Sequence, residues 1–320
     1  MQIDDPIYIL GAGAIGIPLA VQLSLARRNV ILVRTSTERV QDEQVELTLI
    51  ASDSQDGARA TTSVTSLNQA DVTHGIVVIA AKSYANAKIA AQLQAKGVDL
   101  PLVILQNGIG VERPYLDTGF SQVLRCVLYA TGQREAHEPF LVRFRAITSS
   151  PIGVIRGRDE VLHHCVAQLS TPDLPFHDVE NVHQDVWRKG IINAVFNTIC
   201  PLLEVDNGVF AREPDVMALA HEVVDECANV AAAQGVAIDR TALAAQVLRL
   251  SRGSDGQLIS TLQDLRRGNP TEIDSLNMEI ARIGASMTPP VAVPKTELLG
   301  RLTLMKASVS LKSGLADPRQ

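Results

Sequence analysis

The chain has 320 residues, 46% hydrophobic and 20% charged, which is the composition of an ordinary globular protein long enough for two domains. Its net charge of −6 argues against a nucleic-acid or an anionic-membrane partner. No apolar run approaches the length of a membrane-spanning helix, so membrane insertion is not expected.

The first motif is a glycine-rich turn directly after a short apolar strand, Ile7 to Leu10. A helical pattern and a second apolar strand follow the turn, which is the context required of a dinucleotide-binding unit. The first glycine permits the tight turn, the second allows backbone N–H groups to approach a pyrophosphate, and the third lets helix and strand pack closely. We therefore predict a cofactor site formed by Gly11, Gly13, Ala14, Ile15 and Gly16.

The end of the second strand, Val30 to Val33, indicates which dinucleotide is bound. An acidic residue there would hold the ribose hydroxyls of NAD, whereas this chain has Arg34 followed by Thr35, Ser36 and Thr37. A guanidinium suits a ribose phosphate, so NADP(H) is the predicted cofactor. The alternative is that Arg34 is simply a solvated charge at a strand end.

Two further strands deliver polar residues to the edge where ligands gather in doubly wound sheets. The strongly apolar stretch 75–81 ends at Lys82, and a strand at 101–105 leads into Gln106, Asn107 and Gly108. We predict cofactor contacts for Lys82 and Asn107, although Asn107-Gly108 could also be only a tight turn. The other predicted elements here are a strand hairpin over 45–64 turning at Asp56-Gly57, strands at 122–130, 140–148 and 152–155, and helices at 84–95 and 160–169.

After about residue 180 strand patterns give way to long helical periods. The predicted fold is therefore α/β, with an N-terminal Rossmann-type doubly wound domain (residues 1–180) and an all-helical C-terminal domain (181–320). Predicted helices cover 187–201, 214–234, 239–250, 255–266, 271–285 and 295–314.

The first of these helices, WRKGIINAVFN at 187–197, is apolar almost all round, as expected of a buried helix. Lys189, Asn193 and Asn197 nevertheless recur every four residues and form one polar stripe. Burying such groups is costly unless something polar faces them, which would suit a binding site. A solvated edge with a snorkelling lysine explains the stripe equally well. Lys189 could act as a general acid because burial in a dry site lowers the pKa of a lysine.

Two further polar residues stand out in the helical half. Ser260 lies among apolar residues near the middle of the predicted helix 255–266, where the alternative is a serine bonded back to its own helix. Glu272 lies just inside a predicted helix start, where the helix dipole alone favours an acid.

Taken together these motifs resemble the ketopantoate reductases (2-dehydropantoate 2-reductases) through nearly the whole chain. The motifs are GAGAIG at 11–16, Arg34, Lys82 in AAKSY, QNG at 106–108, WRKGIINAVFN at 187–197, and Ser260 with QDLRRGNPTEID ending at Asp274. The stretch 128–144 departs from the family pattern, because it lacks a small and hydroxyl-rich run.

The resemblance implies hydride transfer from NADPH to the ketone of 2-dehydropantoate, giving pantoate. Lys189 would protonate the developing alkoxide, and Glu272 would orient the substrate hydroxyl or the lysine. Substrate binding would fall to Asn193, Asn197, Asn207 and Ser260. Arg34 and Lys82 would hold the ribose phosphate, and Asn107 would contact the nicotinamide side of the cofactor.

The main hypothesis is thus an NADPH-dependent 2-oxo-acid reductase of pantothenate biosynthesis, and it allows a homodimer. The rivals are a reductase of a different 2-oxo acid and a non-catalytic NADP-sensing module. Four scattered cysteines and the lack of a signal-peptide pattern favour the cytoplasm, and seven unclustered histidines make a metal site unexpected.

Overall fold

The computed structural model describes residues 5–38, 43–51, 57–135 and 137–316, with side chains in the last helix as far as Leu311. It divides into two compact units. The first comprises residues 1–106 and 111–182, and the second comprises residues 107–110 and 183–320.

The first unit is built on one sheet, which contains eleven strands among the residues described. The strands are β1 Ile7–Leu10, β2 Val30–Arg34, β3 Glu43–Ala51, β4 Gly57–Ser66, β5 Ile76–Ile79, β6 Leu102–Ile104, β7 Val123–Cys126, β8 Ala130–Arg134, β9 Leu141–Ala146, β10 Ser150–Arg156 and β11 Phe176–Asp178. Their spatial order is β11-β10-β7-β6-β5-β1-β2-β4-β3-β9-β8.

The six central strands, β4-β2-β1-β5-β6-β7, are all parallel. Counted along the chain, they stand in the order 3-2-1-4-5-6, which is the order of the doubly wound dinucleotide-binding sheet. The predicted α/β class is confirmed. In such a sheet, ligands bind outside the carboxyl ends of the strands where the order reverses, which here is between β1 and β5.

Helices cover both faces of this sheet, as the alternation of side chains along β1 shows. Ile7 and Ile9 belong to one core with α1 (Gly16–Leu25) and α4 (Asp159–Leu169), whereas Tyr8 and Leu10 belong to a second core. That second core contains buried side chains of α2 (Asn86–Ala95) and the short α3 (Arg113–Asp117). Helix α3 and strand β11 were not predicted from the sequence.

The predicted single strand at 122–130 is wrong, because the structure contains two strands there. β7 lies between β6 and β10, while β8 pairs with β9 at the far edge, so the chain leaves the sheet at residues 127–129. The hairpin predicted over 45–64 is confirmed by the antiparallel pairing of β3 and β4, although Asp56 of its turn lies outside the described residues.

The atypical stretch 128–144 forms the β8–β9 hairpin, which packs against the glycine-rich turn. Gly132 of β8 lies so close to Ala14 that an added β-carbon would overlap the Ala14 carbonyl oxygen. This stretch therefore supports the backbone of the cofactor motif.

The second unit contains helices and turns but no β-strand among its described residues. Its elements are α5 Val182–Leu203, α6 Val209–Arg212, α7 Pro214–Ala233, α8 Arg240–Gly253, α9 Ser260–Arg266, a 3₁₀ turn Ile273–Ser275, α10 Asn277–Ser286 and α11 Pro294–Ala316. None of the helices described in either unit is both long enough and apolar enough to cross a membrane.

Three predicted helices have wrong boundaries, and α5 begins at Val182 rather than at Trp187. α5 continues through Pro201 to Leu203, and the Pro201 carbonyl accepts a 2.7 Å hydrogen bond from Lys306 Nζ. The helix predicted over 255–266 begins only at Ser260, because Gly256 has a φ of +75° that no helix accommodates. The helix predicted over 271–285 is split into the 3₁₀ turn and α10.

The four cysteine side chains, Cys126, Cys165, Cys200 and Cys227, are free thiols and all are buried. Burial raises the pKa of Cys165, Cys200 and Cys227 to about 12, so their reactive thiolates are scarce near neutral pH. We expect negligible reaction of the folded protein with a disulfide thiol reagent at pH 8 and stoichiometric reaction in denaturant. Fast labelling of a native thiol would contradict the burial.

Candidate cofactor and substrate sites

The three glycines of the turn after β1 have different surroundings. Gly11 has a φ of +125°, and an added β-carbon would collide with the backbone of Ala81. A β-carbon on Gly16 would overlap the Gly11 carbonyl oxygen. Gly13, by contrast, has open space in front of it, with nothing within 4 Å of an added β-carbon. The fold thus requires Gly11 and Gly16, whereas the open space at Gly13 fits the approach of a ligand phosphate.

Arg34 and Lys82 stand on either side of this turn, since β2 and β5 are the two neighbours of β1. Arg34 is the last residue of β2, and its carbonyl accepts a hydrogen bond from Leu67 N at 3.2 Å. Lys82 has extended backbone and caps a 3₁₀ turn, where its carbonyl accepts from Ala85 N at 3.0 Å. Both are half-buried. The structure thus brings Arg34, Lys82 and the glycine turn to one edge of the sheet.

A buried amide network at the same edge was not predicted. Gln106 Nε2 donates to the Ala81 carbonyl at 2.6 Å, and the Gln106 and Asn86 amides donate to each other at 2.7 Å. Asn86 also donates to the Val111 carbonyl at 2.8 Å and accepts from the Tyr115 hydroxyl at 3.2 Å. Burial raises the pKa of Tyr115, which stays a neutral donor. Through the hydrogen bond to the Ala81 carbonyl, the network fixes the backbone immediately before Lys82.

A sequence signal for Asn86 did exist. Asn86 precedes Ile89, Ala90 and Leu93 at spacings of three, four and seven, which places it on the apolar face of α2. A polar residue on an apolar face needs a buried partner.

Asn107 belongs to the helical unit rather than to the sheet unit that surrounds it in sequence. The next residue, Gly108, has a φ of +110°, and its α-carbon lies against Ser275, whose atoms would be 2.6–2.8 Å from an added β-carbon. Ile109 N donates to the Ser275 carbonyl at 2.7 Å, and the Ile109 side chain lies against Gly190 of α5. Residues 107–110 are therefore clamped between α5 and the 3₁₀ turn.

This clamp brings three predicted site residues into one region of the helical unit. Lys189 immediately precedes Gly190, Asn107 precedes Gly108, and Glu272 caps the 3₁₀ turn that holds Ser275. The Glu272 carbonyl accepts from both the amide (3.1 Å) and the hydroxyl (2.9 Å) of Ser275, which fixes the backbone that carries its carboxylate. Lys189, Asn193 and Glu272 are half-buried.

Asn197, the third residue of the stripe, is almost fully buried and is tied to the start of α9. Its Oδ1 accepts from Ser260 Oγ at 3.2 Å, from Thr261 N at 3.3 Å and from Thr261 Oγ1 at 2.8 Å. A substrate contact by Asn197 would therefore come from its amide nitrogen. Ser260 is exposed at the first position of α9, so the predicted mid-helix placement is wrong.

Asn207 lies in a buried turn before α6. Its N–H donates to the Gln257 carbonyl at 2.9 Å and its carbonyl accepts from Ser251 Oγ at 2.7 Å, while its side-chain oxygen is buried without a hydrogen-bond partner. A buried amide oxygen in this state is a candidate acceptor for a ligand.

An ion-pair cluster fixes the turn that carries Asn207. Arg212 bonds both carboxylate oxygens of Asp206 at 3.0 Å and also pairs with Asp255. Burial alone raises the pKa of Asp206, but hydrogen bonds from Gly208 N–H and Arg212 outweigh it and hold the pKa below its ordinary value. The carboxylate is therefore charged at neutral pH.

The helical unit can thus offer one ammonium, several amides and a carboxylate to a small polar substrate. The sheet unit presents a glycine turn and two cations at one edge of its sheet. Among the residues that the structure describes, no group of histidine, cysteine or acidic side chains could hold a metal ion.

Comparison with known families agrees with this division. The family model described as ketopantoate reductase PanE/ApbA matches residues 7–156, and the model of the C-terminal region of the same family matches residues 181–307.

Individual relatives carry the same description. A 2-dehydropantoate 2-reductase of Pyrobaculum aerophilum is 30% identical over 74% of this chain and 78% of its own length. A 2-dehydropantoate 2-reductase of Pyrococcus horikoshii is 28% identical over 96% of this chain and 99% of its own length.

Solved structures share the fold of the whole chain. A PanE/ApbA family ketopantoate reductase from Ralstonia eutropha has a TM-score of 0.80 at 25% identity, over 95% of this chain and 99% of that one. A D-mandelate dehydrogenase, in complex with NADH and anilino(oxo)acetate, has a TM-score of 0.81 at 22% identity over the same shares. At that identity the second likeness shows the fold alone.

Proposed function

This chain belongs to the ketopantoate reductase family of oxidoreductases, and we propose that it reduces 2-dehydropantoate to pantoate with NADPH. The observation that carries the proposal is the arrangement in the helical unit. The backbone segments that carry Lys189, Asn107 and Glu272 are linked there through Ile109 and Ser275, in a chain that the family models match in both units. Buried free thiols fit a reducing cytoplasm, where we place the reaction.

The described residues fit a phosphorylated dinucleotide. The open space at Gly13 would admit the pyrophosphate, and the N-terminus of α1 would direct its partial positive charge towards it. Arg34 and Lys82 would bind the ribose phosphate, with Ala14 and Ile15 adding backbone contacts, and Asn107 would meet the nicotinamide end. When bound, NADPH supplies the hydride.

The protein's own residues then bind the substrate and move one proton. Asn193, Asn197, Ser260 and Asn207 would hold the carboxylate and the hydroxyl of the 2-oxo acid, which fixes its carbonyl in one orientation. Lys189 would donate a proton to the carbonyl oxygen as a hydride reaches the carbonyl carbon, so that the ketone becomes an alcohol. Glu272 would orient the lysine or the substrate hydroxyl.

Two alternatives use the same residues differently. A reductase of another 2-oxo acid would use the same asparagine side chains to hold a substrate of a different shape. An NADP-sensing module needs the sheet unit alone, so the ordered lysine, amides and carboxylate of the helical unit favour an enzyme over a sensor.

One assay separates the three functions. NADPH oxidation is followed at 340 nm with 2-dehydropantoate and with 2-oxo acids whose side chains run from linear to branched to aromatic, with NADH in parallel. Fastest turnover of 2-dehydropantoate supports the proposal. Preference for another acid supports the second function, and NADPH binding without turnover supports the third.

The Arg34→Ala variant tests whether Arg34 makes the protein prefer NADPH over NADH. We expect KM for NADPH to rise about ten- to a hundredfold and KM for NADH to stay within about twofold, since a hydrogen bond to a charged group contributes about 1.5–3 kcal/mol. The matched control is Arg59→Ala, because Arg59 is an exposed arginine of β4 that forms an ion pair with Glu46. An equal rise for both coenzymes would contradict a role in phosphate recognition.

A further inference from the structure

Residues 107–110, which we call the inserted segment, interrupt the sheet unit and belong to the helical unit. The chain leaves the sheet unit after Gln106 and re-enters it at Val111. Within the helical unit the segment is held by Ile109, whose N–H donates to the Ser275 carbonyl at 2.7 Å. The sheet unit acts on the segment through its two ends, residues 106 and 111.

A single side chain, that of Asn86, joins these two ends. Its Nδ2 donates to Gln106 Oε1 at 2.7 Å and to the Val111 carbonyl at 2.8 Å. Its Oδ1 accepts from Gln106 Nε2 at 2.7 Å and from the Tyr115 hydroxyl at 3.2 Å. Both N–H groups and both acceptor positions of the amide are therefore used. Because Asn86 is only 2% exposed, this set of bonds holds its side chain in one orientation.

A second buried side chain spans the same segment one step further out. Arg125 of β7 is also 2% exposed. Its Nη1 donates to the Ile104 carbonyl at 3.2 Å, and its Nε lies 3.8 Å from Glu112 Oε2. Arg125 thus connects residues 104 and 112, as Asn86 connects residues 106 and 111. Two polar bridges, one inside the other, close the base of the inserted segment, and buried polar networks of this kind specify one geometry.

The inserted segment begins with Asn107, the residue assigned above to the nicotinamide end of the cofactor. Asn107 directly follows Gln106, so the bridge fixes the backbone from which its side chain projects. Hydride transfer is sensitive to such placement, since a displacement of about 1 Å can lower the rate about a hundredfold. We propose that Asn86 is a positioning residue of the reductase, which sets the place of Asn107 by joining residues 106 and 111. This role rests on the function proposed above.

Hydrogen–deuterium exchange of the cofactor-free protein tests the bridge without using any activity. We expect the amides of residues 107–111 to exchange about tenfold faster or more in Asn86→Ala, because the bonds that close the segment are lost. A second variant, Asn86→Asp, keeps the size of the side chain and its acceptor oxygen. Its carboxylate cannot donate to Gln106 or Val111, so it should have the same effect.

The matched control is Thr62→Val. Thr62 is a buried residue of β4, and its Oγ1 donates to the Val30 carbonyl at 3.0 Å. The variant therefore also removes a buried hydrogen bond from the sheet unit, but one that touches neither end of the inserted segment. Exchange at residues 107–111 should be unchanged in this protein.

A double-mutant cycle tests whether Asn86 acts through Asn107. NADPH affinity and the emission of the bound nicotinamide are measured by fluorescence titration, and kcat is measured with the 2-oxo acid that is reduced fastest. We expect Asn86→Ala to lower kcat about tenfold and to change the nicotinamide emission in the same direction as Asn107→Ala. The double variant should match Asn107→Ala within about twofold, because both substitutions remove the same contact.

Three results would overturn the proposal. They are unchanged exchange at residues 107–111 in a folded Asn86 variant, losses that multiply in the double variant, and failure of both Asn86 variants to fold, which would show that Asn86 serves the fold alone. Absence of turnover with every 2-oxo acid in the unaltered chain would overturn the proposed function instead. The exchange experiment and the NADPH titration would still decide the role of Asn86.

Discussion

Lys189→Ala is expected to lose most of its turnover while NADPH still binds. A positioned general acid contributes about a hundredfold to ten-thousandfold to rate, so kcat should fall by that factor. Lys189 lies in the helical unit beside Gly190, and no predicted dinucleotide contact depends on it. NADPH affinity, measured by fluorescence titration, should therefore change by less than about threefold, or ~0.6 kcal/mol.

The control is Lys295→Ala. Lys295 is an exposed lysine of α11, and the structure pairs it with Glu222. This variant should retain kcat, which separates the loss of one particular ammonium from a general loss of positive charge. Unchanged turnover in Lys189→Ala would rule out its role as the acid. Loss of NADPH binding together with turnover would place it in the cofactor site instead.

Gly13→Ala is expected to abolish tight cofactor binding without affecting the fold. Gly13 has no positive φ, and an added methyl group would meet no protein atom. If the open space belongs to the pyrophosphate, the methyl group overlaps the ligand. Overpacking costs about 1–3 kcal/mol, so NADPH should bind about ten- to a hundredfold more weakly.

Two other glycine-to-alanine variants serve as controls for this result. Gly253, at the end of α8, also has open space and no positive φ, so Gly253→Ala should leave NADPH affinity unchanged and should not lower the melting temperature. Gly16→Ala should lower the melting temperature, because its methyl group would overlap the Gly11 carbonyl oxygen. A melting temperature for Gly13→Ala as low as that for Gly16→Ala would show that the fold needs Gly13.

The local motifs were readable from the sequence because each depends on neighbours along the chain. β1, the glycine turn and the start of α1 form one continuous segment. The buried parallel strands are recognisable in the sequence as short apolar runs. Pro214 at the start of α7, Gly235 after its end and the Asp239 cap of α8 were predicted for the same reason.

Two of the misjudged boundaries involve partners that are distant in sequence. The end of α5 depends on Lys306, 105 residues further on, which binds the Pro201 carbonyl. The short α9 begins where Asn197 accepts from the Thr261 N–H, so the helix is capped by a residue from another helix. Propensity within a window of sequence cannot report such contacts.

The sequence by itself determined the doubly wound sheet, the helical second half, the glycine turn and the polar stripe of α5. These features follow from periodicity and from steric requirements within a few residues. Only the tertiary structure shows that residues 107–110 pack in the helical unit and that the side-chain oxygen Oδ1 of Asn197 accepts hydrogen bonds from the start of α9. It alone showed that the large apolar residues of α11 face outward. The reason is physical: packing depends on which surfaces meet after the chain has folded, and residues far apart in sequence supply those surfaces.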